Sequence, residues 1–181
     1  MNIHQLNVSH VDRQDRLLLR LNTPTGQEFR FWFTRRLTLR LLPALQQALE
    51  RMEAHQTQTI APDPASQHML TELKRETFLQ QADFQTPYAA PTQPPPQEEE
   101  PMLVTDVQLD FQTSGVQLSL QDKGAPGGLA QTCHLHLQPA LMHGLIHLMT
   151  QAVAQAEWQT ALSATSPAMP FEAAPTTGYR H

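Results

Sequence analysis

Thiol chemistry is almost absent from this chain of 181 residues, which has one cysteine, Cys133. No internal disulfide can staple it, so its fold must rest on an apolar core. Charged residues make up only 16%, too few for a polycation that holds nucleic acid by bulk counterion release. Short apolar runs such as Leu17–Leu19 and Phe31–Phe33 fall far below the roughly 20 residues of a membrane span. Met1–His10 has neither the basic start nor the apolar stretch of a secretory signal, and neither end has a lipidation motif. The expectation is a soluble, cytoplasmic protein without a membrane partner.

Catalytic signatures are equally scarce. The one glycine-rich stretch, Gly124–Gly128, lies between two expected strands. It therefore lacks the helix N-terminus that cradles phosphate. No Gly-x-Ser-x-Gly elbow occurs, and Asp12, Asp15 and Asp122 sit in turn-like sequence. The expectation is a protein that is not an enzyme and needs no cofactor.

What the chain does contain is one pattern written twice. The segments 1–56 and 102–160 each read strand–strand–strand–helix. Period-two alternation in 5–9, 17–22 and 29–33 gives way to helical spacing of Leu37, Leu41, Leu45 and Ala48. In the second segment Leu135 and Leu137 precede Leu141, Leu145, Leu148 and Ala152. Leu17, Leu19 and Leu21 correspond to Val116, Leu118 and Leu120, and Leu6 and Val8 to Leu109 and Phe111. Pro139 suits a first helical turn, whereas Pro43 suggests that the first helix starts near Arg40.

The fold class expected is α+β: two related β-β-β-α units, each an antiparallel sheet with a C-terminal helix, paired as a pseudo-dimer. A unit of this size is marginal alone, and two that cover each other's apolar faces are not. Residues 57–101 form a linker, with a helix over 66–82 capped by Ser66 and a Pro- and Glu-rich stretch over 85–101 expected to be disordered. The tail, 161–181, has a similar composition and the same expectation.

Charge is distributed unevenly. Residues 1–56 have eight arginines, no lysine and five acids, for +3; residues 57–101 come to −5 and 102–181 to −3. Period two places Arg16, Arg20, Arg30 and Trp32 on one outward sheet face, with Arg35 and Arg36 at its rim. Arginine and tryptophan are the residues enriched at the centres of protein interfaces. The leading expectation is therefore an interaction or adaptor protein that binds a macromolecular partner, a protein, through this face and forms homo-oligomers. Guanidinium groups around an exposed ring also suit single-stranded nucleic acid, which is the second reading.

The histidines give a third. His134 and His136 point to one side of a strand, and His143 and His147 are one turn apart on a helix. This is a weak candidate for a metal-responsive oligomer. The two pairs diverge within one unit and show no nearby acid to orient the rings, so no metal site is assigned. Cys133 reads as a small core residue.

Overall fold

Alternation builds the first sheet. Strands β1 (Gln5–Val11), β2 (Arg16–Asn22) and β3 (Glu28–Thr34) form an antiparallel meander. In-register rows such as Val8–Leu19–Phe31 and Leu6–Leu21–Phe29 line the inner side. A short 3-10 turn links β1 to β2 and ends at Asp15, whose φ of 48° is left-handed. Gly26, with φ 80°, closes the β2–β3 turn by donating to the Thr23 carbonyl. The computed structural model describes residues 3–57, 63–83, 86–89, 100–112, 114–124 and 130–158. The expected disorder of 161–181 lies outside the described residues, as does most of 85–101.

Helix α1 (Arg35–Thr57) follows β3 without a loop. Thr34 caps it, its hydroxyl accepting from the Leu37 N–H at 3.3 Å. The expected start near Arg40 is thus too late, because Pro43 is tolerated inside the helix. Pro43 lies on the exposed side, where the carbonyl its ring leaves unpaired can meet water. The opposite side buries Leu41, Leu42, Leu45, Ala48, Leu49 and Met52. At roughly 1.5–3 kcal/mol for each large apolar side chain, this burial outweighs one missing hydrogen bond.

Helix α2 (Pro64–Gln81) begins two residues before the expected cap. Asp63, not Ser66, is the N-cap, and its carboxylate accepts from the Ser66 N–H at 2.9 Å. Hydrogen bonding by the Ser66 side chain first, and by its backbone N–H second, holds the Asp63 carboxyl below its ordinary pKa.

The second segment opens on a strand the sequence pattern hides. Strand β4 (Met102–Val104) pairs parallel with β3 and completes a four-stranded sheet in the order β1-β2-β3-β4. Three residues are too few to show a period. After Thr105 the chain enters a second sheet, the meander β5 (Asp106–Gln112), β6 (Gly115–Asp122) and β7 (Gln131–Leu137). Helix α3 (Pro139–Gln155) follows, with proline in its first turn as expected. At Gly115 an added Cβ would run into the Leu137 carbonyl oxygen, so only glycine fits where β6 starts.

The registers match between the sheets. Leu17 faces Phe33 as Val116 faces Leu137, and Leu19 faces Phe31 as Leu118 faces Leu135. The first strands need a correction. Through their partners, Leu6, Val8 and His10 correspond to Val107, Leu109 and Phe111, two residues earlier than the sequence comparison places them. The apolar period alone cannot fix register, because a slip of two residues keeps every side chain on its face.

Each helix also reaches across. Helix α1 packs beneath β2 and β3 and on to β5, while α3 packs beneath β7 and on to β1. Leu17, Leu19, Phe31 and Leu45 from one segment join Leu118, Leu135, Met142 and Leu145 from the other in one buried cluster. Among the described residues, no helix is long and apolar enough to cross a membrane.

Two outcomes follow from this shared core. Residues 1–56 alone lack β4 and the helix beneath β1, so circular dichroism during denaturation should show no cooperative transition for that fragment. In the full chain, Leu45→Ala and Leu118→Ala, both fully buried, should each destabilise by about 3 kcal/mol, read from the denaturation midpoint.

Candidate functional site

Outward positions of the four-stranded sheet come in rows across the strands. One row is Ser9–Leu18–Trp32–Leu103, and on either side lie Val11–Arg16–Thr34 and Asn7–Arg20–Arg30. The structure therefore gathers Arg16, Arg20, Arg30 and Trp32 on one face, and all four are half-buried. Arg36 is exposed just past β3.

Expected to be open, this face is partly covered. Residues 86–89 lie against the end of the sheet where Gln5, Asn22 and Glu28 form a row. The Ala89 N–H donates to the Gln5 side-chain oxygen at 3.0 Å. The Tyr88 ring lies under the Arg20 guanidinium, 4.8 Å from its centroid. Arg20 also donates to the Asn7 side-chain oxygen at 2.8 Å. Arg30 stands 4.0 Å from the Glu28 carboxylate, whose side chain is only 8% exposed. Burial first, and the Glu28 carboxylate second, push the Tyr88 phenol well above its ordinary pKa. Two of the four guanidinium and aromatic groups are thus already engaged by the chain itself. Trp32, with Leu18, Leu103 and Arg16, forms the other part of the face.

Arg35 belongs to a different structure. Its guanidinium donates to the Trp158 carbonyl at 3.3 Å and lies 6.0 Å from the indole centroid. Trp158, 2% exposed, donates its Nε1–H to Asp15 Oδ1 at 2.7 Å, and the His10 ring meets it edge-on at 5.4 Å. The left-handed backbone at Asp15 aims that carboxylate at the indole, a backbone state aspartate tolerates better than most residues. Arg35 therefore clamps the end of the second segment onto the first and is not a free rim residue.

The histidines separate as the alternation requires. His134 and His136 lie on the outer face of the second sheet. There His134 Nδ1 is 2.9 Å from the Ser119 hydroxyl, and His136 Nε2 is 3.4 Å from that of Ser114. His143 corrects the expectation that no acid is near. It is buried, and its Nε2 is 2.9 Å from Glu53 Oε1 on α1, itself 3% exposed. The Phe78 ring of α2 stacks on it at 5.7 Å. The side of α3 that faces away from the sheets is thus covered by two helices. His147 lines a cavity of about 300 Å³ there, beside His68, Glu50 and Arg75. Burial, then the Arg75 charge, lower its pKa. Among the described residues, no group of three His, Cys, Asp or Glu side chains is placed to hold a metal.

Cys133 is half-buried against the core, and that burial raises its thiol pKa. Asp106 pairs with Lys123 at 2.7 Å, and that hydrogen bond lowers its pKa. Sequence reading missed Tyr88, Glu28, Glu53 and Trp158. Tyr88 and Trp158 had one available signal, since each is an aromatic in polar, Pro- or Gln-rich surroundings. Glu28 and Glu53 had none, because their partners come from distant segments.

Two measurements test these contacts. Trp158→Phe keeps an aromatic side chain but loses the bond to Asp15 and part of the buried volume, and should lower stability by about 2 kcal/mol in chemical denaturation. With the folded pKa of His147 lowered, the unfolded chain binds more protons there. Stability should therefore fall as pH drops from neutral through the ordinary imidazole range, and His147→Gln should make that fall shallower. Denaturation midpoints at about pH 7 and about pH 5 read the difference.

The chain matches no known family model, no curated protein and no solved structure, so the reading of this site rests on its own residues.

Proposed function

We propose that this is a non-catalytic interaction protein that binds a protein partner through the outer face of its four-stranded sheet. The observation that carries the reading is the row Leu18–Trp32–Leu103, an apolar stripe on an outward face, with Arg16 in the next row. A tryptophan flanked by aliphatic side chains and a guanidinium has the composition of an interface centre. Arg20 and Arg30 belong to the same face, in the part beneath Tyr88 and beside Glu28. Arg36 extends it at the rim, and Arg35 supports it from within through Trp158.

The matched registers support a further part of the reading: 1–56 and 102–160 are two copies of one β-β-β-α unit, joined as a pseudo-dimer. Equivalent helix positions are buried together, Leu41 with Leu145, Leu42 with Ile146, Ala48 with Ala152 and Leu49 with Val153. Self-association is proposed through α2, whose Met69 and Leu73 are 72% and 58% exposed one turn apart.

Single-stranded nucleic acid is the second reading, favoured by the adjacency of Arg20, Arg30 and Trp32 on one face. The two readings separate experimentally. Partners captured on the full chain should be lost with Trp32→Ala, with affinity for an identified protein falling on the order of thirtyfold and depending little on salt. A labelled single-stranded oligonucleotide should show no binding at low salt. Micromolar oligonucleotide binding that falls steeply with salt and vanishes in Trp32→Ala would replace the protein reading with the nucleic-acid one.

A further inference from the structure

The arginine side of the interaction face has an occupant that the chain itself supplies. After α2, Asp83 accepts from the Thr86 N–H at 2.9 Å and from the Thr86 hydroxyl, which turns residues 86–89 towards the sheet. There the Tyr88 ring lies under Arg20 and the Ala89 N–H meets Gln5 Oε1. Tyr88 is half-buried, whereas Thr86, Pro87 and Ala89 are exposed, and none of the four belongs to the buried cluster. The seat beneath them is held by the sheet. Asn22 donates to Gln5 Oε1 at 3.0 Å, and Arg20 donates to Asn7 Oδ1 through Nε at 3.3 Å and Nη2 at 2.8 Å. The acceptor and the guanidinium plane are therefore fixed by β1 and β2 and do not need Tyr88 to position them.

We propose that this seat is a docking subsite for an aromatic side chain of the partner protein, and that Tyr88 is a built-in competitor for it. The inference rests on the interaction reading above and adds a partner chemistry and a form of regulation to the same face. The occupant's chemistry is read from the segment already seated: a ring for the Arg20 plane, followed by a backbone N–H for Gln5. The seat is continuous with the proposed interface, because the row Asn7–Arg20–Arg30 lies next to the row that contains Leu18 and Trp32. A partner that covers Trp32 therefore reaches Arg20 directly. Tyr88 itself fits imperfectly. Its hydroxyl is buried beside Glu28, yet it makes no hydrogen bond of ordinary geometry among the described residues. That unmet group weakens Tyr88 as an occupant and makes it displaceable.

The test uses the full chain and a synthetic peptide of residues 84–91 with blocked ends, followed by amide chemical shifts. In Tyr88→Ala the peptide should give saturable shifts at Gln5, Arg20 and Glu28 at millimolar concentration. The parent should bind it about tenfold more weakly, since its own Tyr88 holds the seat at high effective concentration. The same peptide with alanine in place of its tyrosine should give no shifts there. No saturable shifts in Tyr88→Ala, equal affinity in parent and variant, or undiminished binding of the alanine peptide would overturn the proposal. So would loss of cooperative melting in Tyr88→Ala, which would make Tyr88 a structural residue and not a competitor. A partner protein captured on the face should bind Tyr88→Ala about tenfold more tightly than the parent. A partner lost with Trp32→Ala but indifferent to Tyr88→Ala would overturn the competition and leave the interaction reading intact. Capture that does not depend on Trp32 would do the reverse, and the peptide result would still decide the seat.

Discussion

The described fold is built around one apolar core to which both segments contribute. A three-stranded sheet and one helix bury surface that only marginally offsets the ordering of their backbone. Here each helix lies under its own sheet and also under the first strand of the other, α1 beneath β5 and α3 beneath β1. Strand β4 adds a covalent version of the same exchange, since the second segment begins by completing the first segment's sheet. Trp158 adds another at the far end, where its indole is fixed by Asp15, His10 and Arg35. The polar contact at the helix junction, His143 with Glu53, again joins a residue of one segment to a residue of the other.

That constraint explains what happens to the arginines. The first segment has eight of them, and the fold consumes several. Arg35 holds Trp158, Arg20 is bound by Asn7 and stacked on Tyr88, and Arg30 has Glu28 beside it. The face that emerges is more apolar at its centre and less positive than its sequence suggests. This shift in chemistry, from a cationic patch towards a tryptophan stripe edged by arginine, is the ground on which a protein partner rather than a phosphate backbone is proposed.

The sequence made much of this legible, for identifiable reasons. Alternation in Leu17–Leu21 and Phe29–Phe33 assigns strands and faces directly, because side-chain direction repeats every second residue. Helical faces such as Leu41, Leu45 and Ala48 follow from the same logic with a different period. Register was not legible. Leu6 and Val8 fit two alternatives equally until the partners of Leu17 and Leu19 were known. Strand β4 was too short to show a pattern. Helix starts were misjudged where tertiary burial overrides proline, as at Pro43, and where a better cap lies upstream, as at Asp63. The placement of Tyr88 on Arg20 and of Glu53 on His143 depends on contacts between distant segments, which local pattern does not encode.

Native-state hydrogen exchange under mild denaturant tests the claim of a single shared core most directly. The slowest amides of β2 in one sheet and of β6 in the other should exchange through the same global opening, with equal opening free energies and equal denaturant dependence. Distinct opening free energies for the two sheets, one exchanging while the other stays protected, would mean two independently stable units and would contradict the account.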